Sequence, residues 1–359
     1  MTSGADNAEL QSAPQIFLKN CWYLCAWAEE VSAEKILARQ IAGEHLAITR
    51  DADGMAFALA DSCPHRFLPL SMGQCQAGVI TCPYHGLRFA ADGRCVENPH
   101  GPISTALSVA SYPLVERHDA LWIWLGEQPA DESRLPDFSF IERTPSAQRA
   151  KGYLHTKADY RLMVDNIMDL THADYMHAST RGGDINTRAK VRVEQTGETV
   201  SITWTAYDDH FAPIHVQAVP GCTGRGDFFN RVDWFTPGNM LLRIVLSLPG
   251  KLDSKEAVDS HTCHVVTPES DGLTHYFFCH TSDTIAANAE IAPKIKETPT
   301  RAFASEDKPL LEAQSQRIGG RNFGSLGPAM LPTDKGAVLV RRQLEKMIRA
   351  ARAERKALT

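Results

Sequence analysis

Cys63-Pro64-His65 and Cys82-Pro83-Tyr84-His85-Gly86 decide how this chain is read. Each stretch sets a thiol beside an imidazole, and sixteen residues separate the first pair from the second. A [2Fe-2S] cluster of the Rieske kind needs that pattern, with two thiolates on one iron and two imidazoles on the other, offered by two loops. Neutral imidazole gives iron less charge than thiolate does, so the reduction potential lies above that of an all-cysteine ferredoxin, and the cluster can accept electrons from one. Tetrahedral zinc is the competing reading, because two Cys and two His satisfy it as well. Zinc loops commonly pair like ligands, as C-x-x-C or H-x-x-H, and the mixed pairs favour the cluster.

Around these loops, from Trp22 to about Trp124, short β-branched and aromatic runs alternate with turn residues. Asp53-Gly54 and Asp92-Gly93 are hairpin signals between strand-like segments. The expectation is a small antiparallel β domain with the cluster loops at one tip. LWIWLG (121–126) alternates tryptophan with aliphatics and reads as a strand with two packed faces. GEQPADESRLPDF (126–138) reads as the crossing to a second domain. The domain expectation is therefore a flexible tail over 1–14, a cluster domain over 15–140 and a second domain over 141–359.

In the second domain the spacing predicts one strong helix from Tyr160 to about Met176. Strand-like runs follow at 200–206, 240–248, 261–267 and 274–280, with Asp271-Gly272 as a hairpin between the last two. A helix near 305–317 and a basic amphipathic one from about Lys335 to Lys356 close the chain. Val340, Leu344, Met347, Ile348 and Ala351 give the last helix an apolar stripe, leaving its Arg and Lys as a solvated face. The fold class is α+β, an antiparallel sheet covered by helices in a helix-grip-like arrangement.

Composition narrows the function classes. The chain has 359 residues, enough for two modest cores, and a formal net charge of −6. Nothing in it argues for nucleic acid or a membrane as partner. The first residues lack the charged and apolar regions of a signal peptide, so the expected location is the cytoplasm. There the nine cysteines need not pair. Those outside the two motifs show no second metal spacing and read as small buried apolar residues.

Asn166, Asp169, His172 and His177 form a second constellation, on the helix candidate. Steps of three keep the first three near one face, and the helix must bend or loosen after His172 to bring His177 to the same point. Two His and a carboxylate on one side of a metal leave positions open for oxygen and substrate, the arrangement of non-haem Fe(II) oxygenases. Asp169 serves more naturally as an anchor for His172 than as the carboxylate ligand. Asp307, in FASEDK (303–308), is the candidate; the alternative is that Glu306 and Asp307 only complement the dipole of the helix they begin.

Seven stretches carry a family resemblance: NCWYLCAW (20–27), CPHRFLPLS (63–71), CPYHGLRF (82–89), CVENPHG (95–101), YRLMVDNIMDLTHADYMH (160–177), VTPESD (266–271) and SEDKPLLEAQ (305–314). Over nearly its whole length the chain resembles the terminal oxygenase component of Rieske non-haem iron oxygenases, in the vanillate O-demethylase and dicamba monooxygenase group. High-potential Rieske proteins resemble C-T-H-L-G-C with C-P-C-H and staple the loops with a disulfide. Leu68 and Tyr84 hold those places here, as in the lower-potential, oxygenase-associated kind.

The resemblance implies a [2Fe-2S] cluster on Cys63, His65, Cys82 and His85, and one Fe(II) per chain on His172, His177 and Asp307. It implies a homotrimer in which Asp169 bridges His172 to a neighbour's His85, with Asn166 close to the iron. It implies O2 as co-substrate and a monooxygenase reaction that hydroxylates an alkyl carbon on O or N of a small aromatic substrate, releasing an aldehyde. Electrons would come from NAD(P)H through a separate reductase, with or without a ferredoxin, since no dinucleotide fingerprint follows a strand here. His264 matches a position that touches substrate in that group, although a lone strand histidine is also an ordinary core residue. Leu242 stands where a polar group is found, and Arg243 should face the opposite way by alternation. A neutral aromatic ether or N-alkyl anilide then suits the chain as well as a benzoate. Residues 181–232 and 281–300 are the expected pocket rim and lid. Two other readings stay open: a ring hydroxylase or dioxygenase, and a non-catalytic electron carrier with a passive ligand-binding domain.

Overall fold

The computed structural model describes residues 17–177, 182–282, 290 and 292–358. The expected tail over 1–14 lies outside them. The chain divides into two compact units, one over Phe17–Leu135 and the other over the described residues from Pro136 onward.

The first unit is built from small antiparallel sheets. Ala120–Leu125 is the central strand of a three-stranded sheet, between Cys21–Trp27 and Leu114–Arg117. All six of its side chains are buried, which explains why its sequence has no polar face. Trp22 and Trp124 meet edge to face at 5.3 Å in that core. Leu37–Ile41, Glu44–Arg50, Ala56–Ala60 and Ser111–Tyr112 form a second sheet; Gln74–Gln76, Val79–Thr81, Arg88–Phe89 and Cys95–Glu97 form a third. Gly54 and Gly93 take the left-handed backbone at the Asp-Gly hairpins.

The second unit holds a seven-stranded antiparallel sheet. Its order is Ala150–Thr156, Leu273–Ser282, Val258–Ser270, Asn239–Ser247, Arg225–Phe235, Thr199–His210, Lys190–Thr196. Helices lie against it. The amphipathic helix Lys335–Leu358 buries Val340 and Leu344 and packs against Thr199–His210. A Cβ at Gly336 would fall 1.9 Å from Ile202 Cδ1, so a side chain at the helix start would collide with the sheet. One arginine of this helix departs from the solvated-face expectation: Arg341 Nε reaches both oxygens of Asp165 at 2.9 and 2.8 Å, tying the helix to Tyr160–Ile167.

Two helix expectations need correction. The single helix over 160–176 is two, Tyr160–Ile167 and His172–Met176, and the break comes before His172. Asp169 makes the break: its Oδ1 accepts from the Thr171 amide at 3.0 Å and hydroxyl at 2.7 Å, a local turn that competes with the helical ladder. Asp307 does not begin a helix. Ala292–Ala302 runs into a π-helical turn, Phe303–Asp307, and on into Lys308–Ile318. With no free N-terminus there, dipole complementation does not explain Glu306 and Asp307.

Candidate active site

In the first unit two loops of the same design carry the Cys/His pairs. The Cys63 amide donates to Leu68 O and the Phe67 amide to Cys63 O; the Cys82 amide donates to Leu87 O and the Gly86 amide to Cys82 O. The residue four past each cysteine is left-handed, Phe67 at φ 57° and Gly86 at φ 73°. Glycine adopts that backbone freely, whereas Phe67 pays about 1 kcal/mol for it. Both thiols are buried, and burial, then the contact with Cys82, raises the Cys63 thiol. The His65 and His85 rings lie 4.4 Å apart at 65° on the outer side. Desolvation, then His65, His100 and Arg66, lower the His85 imidazole. Two buried thiols below two neighbouring imidazoles match the donor set of a Rieske cluster. All nine cysteines are free, and none staples the loops.

In the second unit His172, His177 and Asp307 come together, their ligand atoms all within 4.8 Å of one another. His172 Nε2 lies 3.7 Å from Asp307 Oδ1, and His177 Nε2 lies 3.4 Å from Asp307 Oδ2. The other ring nitrogens are engaged: His172 Nδ1 donates to the Asp169 backbone carbonyl at 2.5 Å, and His177 Nδ1 to Glu306 Oε2 at 2.7 Å. A carboxylate can only accept, so Glu306 fixes the proton on His177 Nδ1 and leaves Nε2 bare. Desolvation lowers His172 and raises Asp307. Asp307 Oδ2 is buried without a hydrogen-bond partner. Bare imidazole nitrogens facing an unsatisfied buried carboxylate repel one another unless a cation sits among them, and two His with one Asp suit Fe(II).

The neighbours of this trio differ from expectation in detail. Asn166 Nδ2 donates to Asp307 Oδ1 at 3.3 Å, orienting the carboxylate. Asp169 meets His172 through its carbonyl, and its carboxylate turns to Thr171. Glu306 was readable as an acidic neighbour of Asp307, but its grip on His177 is visible only in the fold.

A cavity of about 190 Å³ opens beside His177. Its floor is made by neighbouring strands of the sheet: Leu242 pairs with Thr262 and Thr262 with His280, Ile244 pairs with Ser260 and Ser260 with Ser282, Leu246 pairs with Val258, and His264 lies beside them. Thr262 and His280 share a hydrogen bond at 2.8 Å, and Ser260 donates to Ser282 at 2.9 Å. Ile214, Gln217, Thr298 and Pro299 line the cavity from the expected rim and lid stretches. Residues 181, 283–289 and 291 of those stretches lie outside the described residues. His264 is buried, with Nδ1 on the Tyr276 hydroxyl at 2.8 Å and Nε2 without a partner. Desolvation, then His280, lowers its pKa to about 3, so the ring is neutral. Arg243 turns away and pairs with Asp259. Among the described residues no lysine, arginine or acid lines this cavity.

Residues 21–113 match the Rieske [2Fe-2S] domain family and residues 156–350 the vanillate O-demethylase oxygenase C-terminal domain family. The chain is 34% identical over 344 residues to the oxygenase component of chloroacetanilide N-alkylformylase from Rhizorhabdus wittichii, covering 93% of this chain and 97% of that one. It is 35% identical over 334 residues to the oxygenase component of dicamba O-demethylase from Stenotrophomonas maltophilia, covering 92% and 98%. The crystal structure of dicamba monooxygenase bound to 3,6-dichlorosalicylic acid superposes with a TM-score of 0.86 at 34% identity, covering 94% of this chain and all of that one. No helix among the described residues is long and apolar enough to cross a membrane. Two domain matches, relatives aligned almost end to end and a shared fold lead to one conclusion: the chain belongs to the Rieske non-haem iron oxygenases, as an oxygenase component of the vanillate O-demethylase type with a [2Fe-2S] cluster and a mononuclear iron.

Proposed function

We propose that this oxygenase removes an alkyl group from O or N of an uncharged aromatic substrate. The single observation that carries this reading is the cavity beside His177, whose described lining holds no charged side chain apart from any charge on histidine. An unpaired carboxylate moved there from water costs several kcal/mol. A penalty of roughly 3 kcal/mol corresponds to about 100-fold in kcat/KM. One relative acts, by its name, on a chloroacetanilide, an amide without a carboxylate. One structural neighbour is bound to 3,6-dichlorosalicylic acid, a carboxylate.

Cys63, His65, Cys82 and His85 would hold the cluster, and His172, His177 and Asp307 the iron. Bound iron supplies O2 activation, with electrons delivered through the cluster from an NAD(P)H-dependent reductase. The protein's own part is positional. Asn166, Glu306 and the Asp169 carbonyl set the ligands. The uncharged lining excludes bulk water and lays the alkyl carbon beside His177. His264 Nε2 is available to a polar atom of the substrate. With the Tyr276 hydroxyl donating to Nδ1, Nε2 carries the proton and donates to a carbonyl or ether oxygen. The hydroxylated carbon then yields a hemiacetal or hemiaminal, which collapses to an aldehyde and the dealkylated product.

The quaternary reading is a cytoplasmic homotrimer in which one subunit's cluster serves its neighbour's iron, with Asp169 between His172 and the neighbour's His85. Exposed aromatics support docking at both sites: Phe67 and Tyr84 on the cluster loops, and Tyr175 on the helix that carries His172.

Competition between a neutral N-alkyl anilide or alkyl aryl ether and its ring-carboxylated analogue tests the substrate claim, with aldehyde release and a surrogate reductase as readout. The neutral compound should win by about 100-fold. A carboxylated analogue that matches or exceeds it would overturn the reading.

A further inference from the structure

A second set of two imidazoles and one carboxylate lies on the opposite face of the seven-stranded sheet. Strand alternation separates the faces: Tyr276 turns to His264, so its neighbour His275 projects the other way. His155 is the direct cross-strand partner of His275. Glu269 comes from the next strand, at a register shift between Pro268 and Ser270 that breaks the regular pairing beside the two histidines. The three ligand atoms lie within 4.8 Å of one another. Both His155 Nε2, at 2.7 Å, and His275 Nε2, at 3.4 Å, face the same Glu269 oxygen.

We propose that His155, Glu269 and His275 bind a divalent d-block cation, zinc above all. Three features support this. Two imidazole nitrogens and a carboxylate oxygen converge from three neighbouring strands, the donor set of mixed His/Glu zinc sites. His275 is anchored from behind, its Nδ1 lying 2.9 Å from the Tyr153 hydroxyl. When the metal takes Nε2, Nδ1 carries the proton and donates to Tyr153, as metal-bound histidines ordinarily do to an outer partner. The pocket is also graded in exposure: the His275 side chain is 5% exposed, Glu269 19% and His155 43%, which leaves the outer coordination positions to water. No lysine or arginine pairs with Glu269 among the described residues. Bound zinc would clip the edge strand Ala150–Thr156 to the two strands beside it.

The test is equilibrium dialysis of the full-length protein, with both iron centres filled and oxygen excluded, against micromolar zinc. Zinc and iron per chain are counted together, so that only zinc gained without iron loss is scored. Wild type should take up one zinc per chain and melt at a higher temperature with zinc than without. His155→Ala, at the exposed ligand, and Glu269→Gln should each weaken uptake more than tenfold and abolish the melting shift. Tyr153→Phe should weaken it about tenfold. Absence of zinc uptake by wild type would overturn the proposal, as would His155→Ala and Glu269→Gln variants that bind zinc like wild type.

Discussion

Glu306→Ala is expected to loosen mononuclear iron while sparing the cluster. The Glu306 carboxylate accepts from His177 Nδ1 at 2.7 Å, and the two side chains are only 14% and 5% exposed. Deleting it leaves an imidazole N–H largely buried without its partner, a loss of about 1–3 kcal/mol. It also removes the negative charge that makes Nε2 a better donor. Outer partners of metal-bound histidines are worth about 10–100-fold in metal affinity, or about 1.4–2.7 kcal/mol, so the two routes to the magnitude agree. Glu306→Gln keeps an acceptor and loses the charge, and charge-assisted bonds are about twice as strong as neutral ones. Its effect should be less than about tenfold. Anaerobic Fe(II) titration of protein stripped of its mononuclear iron reads both variants, and an intact Rieske EPR signal certifies the fold. An alanine variant within about twofold of wild type, or a glutamine variant weaker than alanine, would refute the reasoning.

Two further outcomes follow from the same geometry. His264→Ala should raise KM for a substrate with a carbonyl or ether acceptor by about tenfold, the worth of one hydrogen bond, and leave iron content unchanged; steady-state kinetics with metal analysis checks both. Asp169→Asn keeps the backbone carbonyl on His172 and the acceptor for Thr171 but replaces Oδ2, the oxygen left for the neighbour's His85, with an amide donor, so it should fill both metal sites, stay trimeric and fail to pass electrons at a useful rate. Mixed with a His85→Cys variant, it should regain activity in mixed trimers where an intact cluster abuts an intact Asp169. No rescue in verified mixed trimers would exclude transfer between subunits.

The local motifs were legible because their chemistry is written at short range. Cys63 with His65, and Cys82 with His85, need only one tight loop each, and the hairpins at Gly54, Gly93 and Gly272 announce themselves by conformational need. Leu242 and Arg243 split to opposite faces as alternation requires. What sequence obscured was set by tertiary context. The Asp169 turn competes with the helix through a side chain whose preference is decided by how His172 must be aimed. Glu306 and Asp307 read as a helix start because a π-helical turn inside a longer helix has no simple sequence signature. Cross-strand rows such as Leu242, Thr262 and His280 depend on the register of three strands, which no one strand contains.

The most direct measurement is a single turnover of pre-reduced protein with a neutral N-alkyl anilide and O2, quantifying aldehyde per chain for wild type and Asp307→Ala. Wild type should release aldehyde in proportion to its filled iron sites. The variant should keep the red cluster, hold one iron fewer per chain and release none. Aldehyde from an Asp307→Ala protein at the wild-type level, or none from iron-replete wild type across N- and O-alkyl aromatics, would contradict the account.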